Sequence, residues 1–273
     1  MEKNVDIKWY QTIDSTNTQA AREMSQAADG TVWIADFQTA GRGQRGNKWE
    51  SAKCENLTFS ILFKPTFLSP AQQFAISEVA AIGVCRYLCS KGLPTRIKWP
   101  NDIYIGNKKI CGMLIEHSIS GANLAGSIVG IGLNLNQREF SSDAPNPTSL
   151  LLEMGNYNNT TPDSFSKSEV TYNRKEELSE LLGYIFTAYG ELENGHAAEL
   201  NQEYLDCLYR FNQWHQFIEI DANAPADMPV EKMAAGRTIT ARITGVDPYG
   251  CVILEHQDGT LQTYPFKGIR YIL

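Results

Sequence analysis

The 273-residue sequence has no excess of positive charge: 24 Lys plus Arg stand against 31 Asp plus Glu, a formal net charge of −7. That balance argues against a general attraction to nucleic acid or to an anionic membrane, so an anionic ligand must be held by a local cluster. No stretch approaches the ~20 apolar residues of a membrane span. Met1 to Asn17, polar or charged at nearly every step, lacks the ~7–15-residue apolar core of a signal peptide. These absences lead us to expect a cytoplasmic protein. The six cysteines, Cys54, Cys85, Cys89, Cys111, Cys207 and Cys251, form no Cys-x-x-Cys pair and sit mostly inside apolar segments, where a reduced thiol acts as a small hydrophobe. His117, His196, His215 and His256 are too scattered in sequence for a metal site. No repeat or low-complexity block is visible.

What is present is an ordinary globular composition, 42% apolar and 20% charged. At ~150 residues per domain the length allows one to two domains. Residues 31 to 38 and 57 to 63 are short β-branched and aromatic runs; in the second, Leu57, Phe59, Ile61 and Phe63 share a face by period two. From Ser69 to Gly92 the period changes to that of a helix, with Ser69-Pro70 at its start, a stripe of Ala75, Val79, Ile82 and Cys85, and Gly92 as the stop. Strands are predicted at Arg96–Trp99 and Ile103–Ile105 around a Pro-Asn-Asp turn, with a return through Ile110–Ile115 and a Gly-rich strand at 125 to 136. Leu178 to Tyr189 and Leu200 to Phe211 read as amphipathic helices. The mixture, without strict βαβ alternation, is α+β: a mixed central sheet with flanking helices. Composition shifts near residue 222, and Arg237 to Leu273 reads as four or five short strands, a small all-β barrel. The expected domains are 1–213 and 214–273.

Gly41-Arg42-Gly43-Gln44-Arg45-Gly46 has the G-x-G-x-x-G spacing of a dinucleotide fingerprint. It fails that motif's context, since no helix opens at the last glycine and no acidic residue ends the next strand. A Walker loop fails too, for want of Gly-Lys-Ser/Thr. What remains is a glycine loop with Arg42, Arg45 and Lys48, whose backbone N–H groups and guanidinium forks suit an anion; alone, it is equally an exposed turn with solvated charges. In Arg96-Ile97-Lys98-Trp99-Pro100-Asn101-Asp102, Lys98 projects from a strand end beside a proline-fixed turn. It can face a phosphate or a developing oxyanion, or simply solvent. Asp14-Ser15-Thr16-Asn17 either caps a short helix or holds a small polar head group.

In this order, Asp14-Ser15-Thr16-Asn17, Gln38-Thr39-Ala40-Gly41-Arg42-Gly43, Lys48-Trp49, Lys98-Trp99-Pro100-Asn101-Asp102 and Gly130-Ile131-Gly132-Leu133-Asn134 closely resemble biotin-protein ligases. The end of the chain resembles that family's SH3-like domain. The resemblance implies a catalytic domain of class II synthetase-like architecture and a ligase-only form, because the first motif begins at Asp14. It also implies two steps: adenylation of biotin by ATP with Mg2+, then transfer to a lysine of a biotin carboxyl carrier protein, by a monomer or homodimer that binds no nucleic acid or membrane. In a dimer the Gly-rich strand near Gly130 could pair edge to edge, though an edge strand can equally be covered. Lys98 and Arg42 would be catalytic. Ser15, Thr16, Asn17, Gln38, Gly41, Arg42, Gly43, Gln44 and Lys98 would bind biotin, and Arg42, Gln44, Arg45, Trp49, Lys98, Asn101 and Asn134 the adenylate. Magnesium would be held through phosphates and water, without a protein cage. Gln44 stands where family members carry a second arginine, and Asn47 replaces another basic residue, which implies weaker retention of the adenylate. The nearest rival is a lipoate or octanoate ligase, which lacks the Lys-Trp-Pro-Asn-Asp signature; a nucleic-acid-binding module would rest on the Arg42–Lys48 loop alone.

Overall fold

Seven short stretches with alternating or wholly apolar patterns pair into one mixed sheet, and their register decides where the chemistry sits. The structure is a computed structural model that describes residues 5–44, 47–121, 123–141, 146–158, 171–220, 236–266 and 268–272. Strands β1 (Ile7–Tyr10), β2 (Val32–Ala35), β3 (Leu57–Phe63), β4 (Thr95–Lys98), β5 (Asp102–Ile105), β6 (Lys108–Ser120) and β7 (Asn123–Leu133) form a sheet in the order β1-β2-β3-β7-β6-β5-β4. Only the β1–β2 pair is parallel. Helix α1 (Thr16–Glu23) packs against β2, β3 and β7, burying Ala20 with Trp33, Leu62 and Ile128 in a small second core.

Cross-strand partners point to the same side of a sheet, so the register assigns whole rows. Leu57, Leu133, Cys111, Ile103 and Ile97 form one row, every one of them buried. This face meets α2 (Phe74–Ser90); α4 (Arg174–Glu193) reaches it where Tyr189 stacks on Phe63 at 4.1 Å, and α5 (Ala197–Cys207) packs on α2. A Cβ at Gly83 would collide with Ile185, so glycine lets α2 and α4 approach closely. Arg86 of α2 ties the other two helices, reaching Glu191 at 2.9 Å and Glu203 at 2.6 Å.

Three expectations are corrected. The segment from Ser69 to Gly92 is a 3₁₀ turn at Pro70–Gln72 followed by α2. A capping box between Ser69 and Gln72 closes the turn, and α2 is buried on most of its circumference, which hides the single stripe. The last predicted helix ends at Cys207; Leu208 leaves it to bridge Ile97, and Tyr209 donates its N–H to the Ile97 carbonyl at 2.8 Å. The Gly130 strand is no edge: β7 lies between β3 and β6, with both sets of backbone groups used. Of the six free thiols, Cys85 and Cys111 are buried while Cys54 and Cys89 are exposed.

A second sheet, antiparallel throughout, contains β8 (Trp214–Glu219), β9 (Thr238–Val246), β10 (Val252–His256), β11 (Leu261–Tyr264) and β12 (Ile269–Tyr271) in the order β11-β10-β9-β8-β12. It wraps the β4 end of the first sheet: Trp99 Nε1 donates to the Gly250 carbonyl at 2.8 Å and its ring lies 5.5 Å from that of Phe266. The Pro-, Ala- and Met-rich stretch from Ala222 to Ala235 lies outside the described residues. No helix among the described residues is long and apolar enough to cross a membrane.

Candidate active site

One residue along each strand, the rows change character. Thr58, Gly132, Gly112, Asp102 and Lys98 are register partners on the face opposite α2 and α4, and Ser60, Gly130 and Leu114 form the next row. Glycines make the floor low enough for other groups to lie on it. A Cβ at Gly132 would collide with the Trp49 indole, one at Gly112 would press on the same ring, and one at Gly130 would collide with the Asn17 amide. Trp49 Nε1 is buried there with no hydrogen-bond partner among the described residues.

At one end of the floor neutral polar groups converge. Ser15, Thr16 and Asn17 are each 3% exposed, at the start of α1. Ser15 occupies the N-cap position, but its side chain makes no capping bond. Gln38 Oε1 instead accepts from the Thr16 N–H at 2.7 Å and from its hydroxyl at 3.1 Å. The buried Ser60 hydroxyl lies 2.7 Å from Thr16 Oγ1 and 2.6 Å from Asn17 Oδ1. Asp14 accepts from the Ser15 N–H and pairs with Arg22 at 2.7 Å; the Arg22 bond holds its carboxyl below the usual carboxylate range.

Arg42 stands beside this cluster. Its Nη2 is 2.5 Å from Glu116 Oε2, the oxygen that also accepts from Asn17 Nδ2 at 2.8 Å. The two arms of the glycine loop pair: Arg42 and Lys48 bridge, the Gly43 N–H reaches the Asn47 carbonyl at 2.7 Å, and the Trp49 N–H reaches that of Gly41 at 3.1 Å. Arg45 lies outside the described residues. Gln44 lines a shallow cleft together with Phe74, Asn101, His117, Tyr249 and Phe266.

Lys98 closes the other end. Its Nζ donates to Tyr104 Oη at 3.1 Å, and Asp102, its register partner, pairs with Lys109 at 2.7 Å. Burial lowers the Lys98 pKa, as do Lys109 and Arg210, while Asp102 opposes the shift. A face with hydroxyls and amides at one end, a glycine floor between and a half-buried ammonium at the other suits an elongated acid: neutral head group first, carboxylate last.

Residues 9–134 match the model of the biotin/lipoate A/B protein ligase family. The bifunctional ligase/repressor BirA of Escherichia coli K12 is 32% identical over 257 residues, covering 94% of this chain and 70% of that protein. This chain belongs to the biotin/lipoate A/B protein ligase family. A biotin–acetyl-CoA-carboxylase ligase of Paracoccus denitrificans is 34% identical over 125 residues, 45% of this chain and 51% of that one. The fold is that of an Aquifex aeolicus biotin protein ligase solved in complex with biotin and ATP, with a TM-score of 0.73, 24% identity, and coverage of 98% of this chain and 99% of that one.

Within this family fold, most of the residues expected at the site come together: Ser15, Thr16, Asn17, Gln38, Gly41, Arg42 and Trp49 share one face with Lys98. Asn101 lines the cleft with Gln44 but turns its amide away, and Asn134 does not join them. The Asn101 amide donates to the Met113 carbonyl, and that of Asn134 to the Thr148 carbonyl at 2.9 Å, both buried. Sequence reasoning missed Ser60, Glu116 and Lys109. Ser60 had a signal: with Thr58 it is the polar alternate of an otherwise apolar strand. Glu116 had none, since its partners lie 99 and 74 residues away.

Proposed function

We propose that the chain is an ATP-dependent ligase that adenylates biotin and transfers it to a lysine of a biotin carboxyl carrier protein. In the first step a biotin carboxylate oxygen attacks the α-phosphorus of MgATP. The bond from that phosphorus to the bridging oxygen of the β-phosphate breaks, and pyrophosphate leaves. In the second, the carrier's lysine amine attacks the carbonyl carbon of the mixed anhydride, AMP leaves with the bonding pair, and the amine gives up a proton.

The observation that carries this reading is the polarity of the site face. The ureido ring offers two N–H donors and a carbonyl, which suits the hydroxyl and amide groups of Ser15, Thr16, Asn17 and Gln38. Two anions must meet in the first step, and Lys98 and Arg42 are cations on this face that can neutralise charge growing in the transition state. Gly41, Gly43 and Gln44 bring loop backbone and a neutral amide to the carboxylate and phosphate. Trp49, with Arg45 and Asn101, is assigned to the adenylate side; Asn134, whose amide donates to the Thr148 carbonyl, is not. Magnesium enters with ATP, held mainly by phosphates and water. Six free thiols suit a reducing cytoplasm.

The test is pyrophosphate exchange into ATP by purified protein with magnesium, comparing biotin, lipoate, octanoate and no acid. Exchange that requires biotin is expected. Exchange with lipoate or octanoate in its place would keep the fold and overturn the substrate.

A further inference from the structure

The Lys98 ammonium is boxed by aromatic rings from both sheets. Its Nζ lies 4.8 Å from the ring centroid of Tyr104, on β5, and 5.3 Å from that of Tyr271, on β12. Tyr209 completes the cluster, 6.0 Å from Tyr104 and 6.2 Å from Tyr271. Phe217 of β8 meets Tyr271 edge-on at 5.3 Å. The strand end is held from outside: Arg210 Nη1 donates to the Ile272 carbonyl at 2.7 Å. Tyr271 Oη is buried with no hydrogen-bond partner among the described residues, so the ring is the part of Tyr271 that meets the lysine.

The geometry points to Tyr271 as a positioning residue for Lys98, through which the second sheet holds the catalytic ammonium in place over the site face. This rests on the reading that Lys98 takes part in the ligase reaction. A lysine stem is flexible and its point charge carries no directional fork, so one hydrogen bond to Tyr104 leaves it free to swing. Tyr271 closes the open side. Burial works against the ammonium, and so do Lys109 on β6 and Arg210 beyond α5; Asp102 on β5 supports it. Ring faces attract a cation, so Tyr104 and Tyr271 add to the support from Asp102. The two sheets then have a chemical reason to stay docked: Trp99 fixes the strand from one face while Tyr271 fixes the lysine tip on the other.

The experiment compares full-length wild type with Tyr271→Phe, Tyr271→Leu and Lys98→Ala. Biotin-dependent pyrophosphate exchange is followed against pH, and Lys98 is titrated directly by NMR of ¹³Cε-labelled lysine, assigned by its loss in Lys98→Ala. Leucine keeps the site apolar and removes the ring, so kcat should fall about 5-fold with KM for biotin little changed, and the Lys98 titration should move to lower pH. Phenylalanine keeps the ring and should match wild type within about 2-fold. Wild-type kcat and an unmoved titration in Tyr271→Leu would overturn the proposal; so would a Phe variant as slow as Leu, which would give the role to the hydroxyl. Should Tyr271→Leu not fold, Tyr271→Met carries the same expectations. Failure of the underlying reading looks different: Lys98→Ala would then exchange at the wild-type rate, while the NMR titration would still report whether Tyr271 holds the lysine.

Discussion

The two faces of the seven-stranded sheet are built from neighbouring residues and have opposite tasks. On the helix side, Leu57, Phe59, Ile61 and Phe63 of β3 are all fully buried in the main core. One residue along, Thr58 and Ser60 look the other way, toward the glycines of β7 and the start of α1. A one-residue slip in a strand exchanges its faces, so the apolar alternates that fix the register also aim the site. The apolar face stabilises by area and close packing. The other gives up packing at Gly112, Gly130 and Gly132 so that Trp49 and Asn17 can lie on the backbone.

If that division holds, substitutions on the two faces separate stability from activity. The largest effect expected is from Phe59→Ala, which empties a core position with no exposed surface. It should cost ~3–5 kcal/mol of unfolding free energy, read from the urea midpoint, while the folded fraction keeps its KM for biotin. Lys98→Ala should do the reverse: kcat for exchange lower by ~10²–10³, with the urea midpoint little changed. A Lys98→Ala protein with wild-type single-turnover rates would remove the lysine from the chemistry. A Phe59→Ala protein with normal stability and poor binding would mean that the two faces are not independent.

How much of this was legible follows from the same rows. The strand at 57 to 63 is found by period two because its core alternates are bulky and apolar, and Ser15–Asn17, Arg42 and Lys98 are found because their motifs are local in sequence. The glycine floor is legible only as a motif, since the reason for Gly132 is an indole from residue 49. The Arg42–Glu116–Asn17 contact needs three segments to meet, which no local pattern encodes. Helix α2 misled for a related reason: buried almost all round, it has no polar face to set its ends, and the break at Gln73 follows from Ser69–Gln72 capping. The neighbours of Gly130 are not legible because glycine in a strand marks close approach as readily as an open edge, and here Asn17 is what approaches.

A buried carboxyl in the helical layer of the apolar side sharpens the comparison. Glu78 of α2 is 6% exposed, and its Oε1 accepts from Asn201 Nδ2 at 2.7 Å. Burial pushes its carboxyl from 4.5 up to about 7. The sign follows: between those values the unfolded chain has released its proton and the folded protein keeps it, so stability falls as pH rises through this window and stays low above it. Glu78→Gln should therefore leave stability near pH 4.5 almost unchanged and raise it at pH 8, by about 3 kcal/mol as an upper figure. Urea midpoints at the two pH values measure it, and equal gains at both would show that the carboxyl's ionisation is not what costs stability.

The smallest effect separates the two ends of the site face. Ser60 is fully buried and, among the described residues, reaches the head-group end through Thr16 and Asn17. Ser60→Ala removes one hydroxyl from that network, a loss of about 1 kcal/mol, or about 5-fold in binding. Thr16 and Asn17, in the proposed reading, hold biotin far from the carboxylate that reacts. What they contribute is then the same in the ground state and the transition state, and its loss should raise KM for biotin about 5-fold with kcat unchanged. A fall in kcat at constant KM would instead make the polar cluster part of the chemical step, and the division between a binding end and a reacting end would have to be abandoned.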